Sequence, residues 1–270
     1  MINVQDEYRG LLSGILHGGE EKNDRTGTGT RSVFGRILRH NMELGFPLLT
    51  AKKIYFNHAI TELLWILQGR TDMYYLRHHG LTYWDDNYKK SGRTDNTLGP
   101  VYGKQLRDFD GVDQLKWVLE QIKQEPSSRR IMASLWNPTE LDDMALPPCH
   151  YGFQVYINNN KLSIAWSQRS VDVFLGLPYD LAMYGLLLLM LAKGSGYEPG
   201  DLICFLGDCH IYNNHIKQAL EYLSRADGKL PTVELKKGLS LAYDVIIPTH
   251  EDITLIGYKP AGTIKAPLAT

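Results

Sequence analysis

From Pro178 to Ala192 the chain runs Pro-Tyr-Asp-Leu-Ala-Met-Tyr-Gly-Leu-Leu-Leu-Leu-Met-Leu-Ala, with Gly194 just beyond. Proline suits a first helical turn and glycine a helix end, so the stretch predicts a helix that starts near Pro178 and stops at Gly194. Its apolar residues occupy almost every face, and such a helix has no side to offer to water. The continuous run from Leu181 to Ala192 is too short to cross a bilayer, which takes about 20 residues. The chain must therefore fold around it as a central buried helix, with Asp180 in its first turn.

The surrounding signals are mixed. Phe153, Val155 and Ile157 alternate with Gln154, Tyr156 and Asn158 as a strand does, and Asn158 to Lys161 reads as a hairpin turn into a second strand. Ser32 to Met42 and a segment before Gly207 read as further strands. Helices are predicted over Val4–Leu16, Asn57–Leu67, Asp113–Gln124 and Asn214–Arg225; Gly69 to Asp110 is loop-rich, and the tail from Pro231 is strand and loop. The class is α/β, of the α+β kind. No repeat, low-complexity linker or shift in composition divides residues 1–270, so one domain is expected. With 22% charged residues and a net charge of −1, no overall field draws nucleic acid or an anionic membrane, and phosphate recognition must be local. Three cysteines, Cys149, Cys204 and Cys209, have neither zinc nor redox-motif spacing, and no metal is expected. The three cysteines cannot all pair within one chain and the N-terminus lacks a basic start followed by an apolar core, so a reducing cytoplasm is the expected home, whether the cell's own or, for a virus-encoded protein, a host's.

The candidate chemistry gathers around Met-Ala-Leu-Pro-Pro-Cys-His-Tyr-Gly-Phe-Gln, residues 144–154. Two prolines force a turn directly before Cys149, setting the thiol at a loop-to-strand junction. There it is either a packed core cysteine or a nucleophile whose thiolate needs a nearby cation, for which His150 and the Arg129-Arg130 pair are the candidates. Glu62, inside Ala-Ile-Thr-Glu-Leu-Leu-Trp-Ile-Leu, is either a paired structural group or a proton-transfer carboxyl with a raised pKa. The Gly-Thr loop around Arg25 reads as a mobile turn or as an anion wrapped by backbone N–H groups. The adjacent His78 and His79 read as surface residues.

Several ordered blocks run through the whole chain: Asp24-Arg25-Thr26-Gly27-Thr28-Gly29, Glu62-Leu63-Leu64-Trp65, Gly99-Pro100-Val101-Tyr102-Gly103, Ser128-Arg129-Arg130, Pro148-Cys149-His150, Gln168-Arg169-Ser170, Phe174-Leu175-Gly176 and Asp208-Cys209-His210-Ile211-Tyr212. In these blocks the sequence resembles the thymidylate synthase family from end to end. The resemblance implies a large twisted mixed sheet and a homodimer joined through sheet faces with shared active sites. It implies a pyrimidine nucleoside monophosphate and 5,10-methylenetetrahydrofolate as the two substrates. By the same resemblance Cys149 adds to C6 of the pyrimidine, Glu62 and Tyr102 transfer protons, and Arg25, Arg169 and Ser170 hold phosphate together with Arg129 and Arg130 from the other subunit. Gln168, His210 and Tyr212 fall on the base and sugar, and Trp84, Asn87, Leu146, Asp172 and Thr270 on the folate.

One departure bears on the substrate. The family usually carries Asn where this chain has Asp180. An amide donates to uracil O4 and accepts from N3–H, whereas a carboxylate only accepts. Facing cytosine, Asp180 would accept from the exocyclic amine and stabilise a proton on N3, as in the cytidylate hydroxymethylase branch; the plainer alternative is a helix cap. Asn87, Tyr55 and Thr270 also depart, and Asn87 and Thr270 would admit water to the folate side, whereas Trp84 and Leu146 keep the usual apolar groups. The expectation is hydroxymethylation of dCMP. The alternatives are methylation of dCMP or dUMP, and a non-catalytic nucleotide-binding protein of the same fold.

Overall fold

The computed structural model describes residues 3–242 and 244–269. Strands β1 (Glu20–Lys22), β2 (Thr30–Asn41), β3 (Met132–Ser134), β4 (His150–Asn158), β5 (Lys161–Asp172) and β6 (Glu198–Tyr212) form one sheet in the spatial order β1, β2, β6, β5, β4, β3. β5 and β6 run parallel and every other neighbouring pair antiparallel, so the sheet is mixed. Two small antiparallel pairs close the chain: β7 (Thr232–Leu235) with β10 (Ile253–Ile256), and β8 (Ser240–Leu241) with β9 (Val245–Ile246). The helices are α1 (Val4–Gly18), α2 (Phe56–Leu67), α3 (Met73–His78), α4 (Asp85–Lys90), α5 (Tyr102–Arg107), α6 (Gln114–Gln124), α7 (Leu177–Ser195) and α8 (Ile216–Ser224).

A parallel pair cannot be joined by a tight turn, and α7 is the crossover between β5 and β6. It lies where its composition requires. Leu181, Leu186, Leu188, Met190 and Leu191 are wholly buried, and the helix packs against β5, β6 and α2. At 19 residues α7 is longer than its unbroken apolar run, and by length and composition alone it could cross a membrane; here most of it is enclosed by the fold. The register pairs Ser170 with Asp208 and Asp172 with His210 at the far end of the parallel pair. β4 enters that same end through Cys149, whose carbonyl accepts from the Arg169 N–H at 2.8 Å. The β4–β5 register shifts between His150 and Gly152, one residue past the cysteine, a bulge of the kind that re-aims side chains next to a site.

The structure corrects two expectations. Gly69 to Asp110 holds α3, α4 and α5 rather than loop alone, each only six residues long and too short to display a 3.6-residue period. Asp72 starts α3 by accepting from the Tyr75 N–H at 2.9 Å. The end of α7 is Gly196, not Gly194: Gly196 adopts the left-handed conformation, with φ of 76°, that closes helices. Gly194 lies inside the helix for a different reason, since a Cβ there would meet the Leu239 carbonyl oxygen at 1.6 Å.

On the sheet, Ile37 and Phe205 stand opposite one another across β2 and β6, and both are exposed. Phe34 on β2, Met132 on β3 and Tyr156 on β4 are exposed as well.

The two glycines should separate on substitution. Gly194→Ala forces backbone against backbone and is expected to cost about 3 kcal/mol or more, the upper end of overpacking effects. Gly196→Ala strains only one left-handed residue, at about 1 kcal/mol. Denaturant unfolding of both variants checks this, and equal losses would remove the Leu239 contact as the reason for Gly194.

Candidate active site

Cys149 sits partly buried, held from three sides. Its backbone N–H donates to the Tyr102 hydroxyl at 2.9 Å. The Arg169 guanidinium donates through Nε to the Pro148 carbonyl and through Nη2 to the Pro147 carbonyl, both at 2.9 Å, and lies 5.3 Å from the centre of the Trp136 ring. Prolines contribute carbonyls but no N–H, so a cation is the natural clamp for such a turn. Burial pushes the Cys149 thiol up; Arg169 and then Arg25 pull it down, while Asp180 and Asp172 push it further up. Without ligand the thiol is therefore protonated at neutral pH.

His150 does not serve as the expected cation. It is buried, stacked on Tyr102 at 4.3 Å, with Nδ1 2.8 Å from the Tyr184 hydroxyl. Burial drives its pKa down to about 3, so the ring is neutral. Within the one chain, Arg129 and Arg130 are not among the groups that act most on the thiol. Both are exposed, and among the described residues no carboxylate lies within 4 Å of them.

Two carboxyls act on one another near the thiol, Glu62 buried and Asp180 partly buried. Glu62, on the buried α2, accepts from the Trp84 indole at 2.9 Å and from the Tyr83 hydroxyl. Burial raises its pKa and these two donors lower it again in part. Asp180 accepts at Oδ2 from Gln168 Nε2 at 2.9 Å. Burial first, then Glu62 and Asp172, push Asp180 up to about 7 against that hydrogen bond. The direction follows from magnitudes. A hydrogen bond to a charged group returns about 1.5–3 kcal/mol, whereas removing a carboxylate from water costs several. Capping does not explain Asp180: α7 is capped by Gly176, whose carbonyl already accepts the Asp180 N–H at 3.2 Å.

Gln168 is itself fixed. Its Oε1 accepts from the Trp166 indole at 3.2 Å, and its Nε2 donates to the Ser170 carbonyl at 3.2 Å as well as to Asp180. Beyond it, His210 is buried with Nδ1 3.2 Å from the Asp208 carbonyl, and its ring packs edge-on to Tyr212 at 5.2 Å. Ser170 is partly buried beside them on β5.

The Gly-Thr loop is not an open anion nest. Asp24 takes the N–H groups of Thr26 and Gly29 at 2.8 Å each, and Thr26 takes that of Thr28, so the loop is closed on itself and presents the exposed Arg25 side chain. Trp84 is buried with its N–H engaged by Glu62, Asn87 is partly buried on α4, and Leu146 is half-buried against the core. Asp172 turns one oxygen, Oδ1, to the N–H groups of Phe174 and Leu175; among the described residues no donor reaches the other. Thr270 lies outside the described residues.

Three residues near these groups escaped the sequence reading. Tyr83 is one of the two donors to Glu62, and its only signal was adjacency to Trp84. Trp166 orients Gln168, and the strand alternation shows it only as core. Lys52 is buried, donates to the Phe174 carbonyl, and lies 3.9 Å from the centre of the Phe174 ring. Burial lowers its pKa to about 7, opposed by Asp172. A Lys-Lys pair in sequence carries no hint that one of the two is enclosed.

Arg169→Ala should raise the Cys149 pKa further, because the largest opposing cation is lost. Alkylation of Cys149 at neutral pH should slow several-fold, with its pH profile displaced to higher pH. The other two thiols do not interfere: burial holds Cys209 up at about 12 and Cys204 well above the usual range. An unchanged profile would show that Arg169 only holds the turn.

The model of the family described as thymidylate synthase matches residues 6–270, nearly the whole chain. Its members use methylenetetrahydrofolate to transfer one carbon to C5 of a pyrimidine nucleotide. A mixed six-stranded sheet with a buried crossover helix and a cysteine set against arginines is consistent with that match, and the chain belongs to the thymidylate synthase family.

Proposed function

We propose that the chain transfers the one-carbon unit of 5,10-methylenetetrahydrofolate to C5 of deoxycytidine monophosphate and forms the hydroxymethyl product. The observation that carries this reading is Asp180, a carboxyl that caps no helix among the described residues and accepts from Gln168, with burial pushing it up to about 7. Cytosine offers a donor, its exocyclic amine, beside an acceptor, N3. A carboxyl poised near pH 7 accepts from the amine and shares its proton with N3. That proton draws electrons from the ring as Cys149 adds to C6, an interaction that strengthens in the transition state.

The other residues follow from their surroundings. A dianionic phosphate brought beside Arg25 and Arg169, with Ser170, is the group those exposed guanidiniums lack. Tyr102 accepts the Cys149 N–H, so its own proton is free to be donated. Glu62, held by neutral donors rather than by a cation, is equipped to exchange protons. His210 and Tyr212 suit the sugar. The folate supplies the one-carbon unit. The residues that would hold it are Trp84, Asn87, Leu146, Asp172 and Thr270, and the unpartnered Asp172 oxygen is a ready acceptor for a ring N–H. Asn87 favours entry of water and so the hydroxymethyl product; methylation is favoured instead by the buried Trp84. The exposed apolar residues on the sheet and the unpaired arginines support a homodimer in which Arg129 and Arg130 reach the partner's phosphate site. A cytoplasmic setting fits this chemistry.

Incubation with methylenetetrahydrofolate and dCMP, CMP or dUMP, followed by mass analysis, is expected to yield a hydroxymethyl adduct from dCMP. Methylated dUMP as the main product would overturn the reading, and no turnover of any substrate would favour a binding protein. Asp180→Asn should shift the ratio of kcat/KM values toward dUMP by about 10- to 100-fold. Mixing Arg129→Ala with Cys149→Ala subunits should restore part of the activity; if subunits exchange and none returns, the shared site is wrong.

A further inference from the structure

We infer that Trp166 is a positioning residue for base selection, fixing through Gln168 which oxygen of Asp180 accepts and which can carry the proton. The inference rests on the reading of Asp180 as the group that meets the base. An amide side chain can turn either end toward a neighbour, and Gln168 faces three groups that together allow one orientation. The Trp166 indole N–H only donates, so it requires Oε1; the Ser170 carbonyl only accepts, so it requires Nε2. Nε2 is thereby aimed at Asp180 Oδ2. An oxygen that already receives a hydrogen bond is the better acceptor of the carboxyl, which favours the proton, when present, on Oδ1; in this proposal Oδ2 lies toward the amine of cytosine and Oδ1 toward N3.

This asymmetry matters because the two pyrimidines need opposite edges. Cytosine requires an acceptor opposite its amine and a donor opposite N3. Uracil requires a donor opposite O4 and an acceptor opposite N3–H. A freely turning Gln168 would allow Asp180 to offer both edges, and a protonated Asp180 would then match uracil as well as an amide does. The lock keeps one edge. Trp166 is well placed to hold it, being wholly buried and stacked on Tyr184 at 4.6 Å with the rings 4° from parallel.

Trp166→Phe keeps an aromatic ring against Tyr184 and removes the donor. It is expected to lower the dCMP to dUMP ratio of kcat/KM by about tenfold, the order of one lost polar match. The loss should come from gained dUMP turnover and a higher KM for dCMP, with the pH profile on dCMP displaced upward because Asp180 loses part of its donor. A general packing defect would instead lower both substrates together. In the unmodified, ligand-free protein, the Trp166 indole N–H resonance should titrate with a midpoint near neutrality, and that titration should vanish in Asp180→Asn. If Asp180→Asn moves the substrate ratio but Trp166→Phe leaves it and the pH profile unchanged, the lock is overturned. If Asp180→Asn itself leaves the ratio unchanged, the base-reading of Asp180 fails, and the indole titration alone decides whether Trp166 acts on that carboxyl. An indole resonance indifferent to pH overturns the inference in either case.

Discussion

A carboxyl held partly buried at the first turn of an otherwise apolar helix is the constraint around which the rest of this structure is arranged. α7 has no polar face, and where its first turn meets the sheet the partly buried Asp180 takes a donor that β5 supplies, Gln168 at 2.9 Å. The crossover that joins β5 to β6 makes the meeting possible, since it returns the chain beneath the strand it has just left. Gln168 is in turn held by Trp166 and by the backbone of Ser170. The pairing is neutral with charged rather than charge with charge, and the hydrogen bond falls short of the desolvation cost. A residue is left that can gain or lose a proton near pH 7.

The same preference for neutral partners governs the surrounding groups. Glu62 is held by a tyrosine and a tryptophan, and His150 by a tyrosine, while two arginines stay at the rim: Arg169 on the proline carbonyls and Arg25 on its closed loop. Interior groups therefore keep displaced pKa values, upward for Glu62, Asp180 and Cys149 and downward for His150. Arg25 and Arg169 suit an incoming phosphate and also lower the thiol. Binding of an anion there would offset some of that help, which makes the fixed geometry of the Pro147-Pro148 turn and the Tyr102 contact more important for aiming the sulfur than charge alone.

Much of this was legible in advance, but unevenly. The buried helix, the hairpin after Asn158 and the position of Cys149 before a strand follow from periodicity and from the chemistry of proline, both local properties. The short helices α3, α4 and α5 leave no periodic signal in six residues, and Gly194 resembles a helix end because local rules do not reveal a carbonyl arriving from residue 239. The cation that acts most on Cys149 is likewise not its sequence neighbour. His150 is next in sequence, yet strand geometry sends it into the core, whereas Arg169 comes from the neighbouring strand.

The sequence by itself determined which residue types were present for the chemistry, that the chain would fold around an apolar helix, and its family-wide pattern of blocks. Only the tertiary structure decided their protonation and their partners. Burial and long-range contact set both: Asp180 near 7 rather than near 4, His150 neutral, Lys52 enclosed, and Trp166 turned from core filler into a hydrogen-bond donor. A pKa is a property of surroundings, and these surroundings are assembled from residues as far apart in the chain as Glu62, Trp84, Gln168 and Asp180.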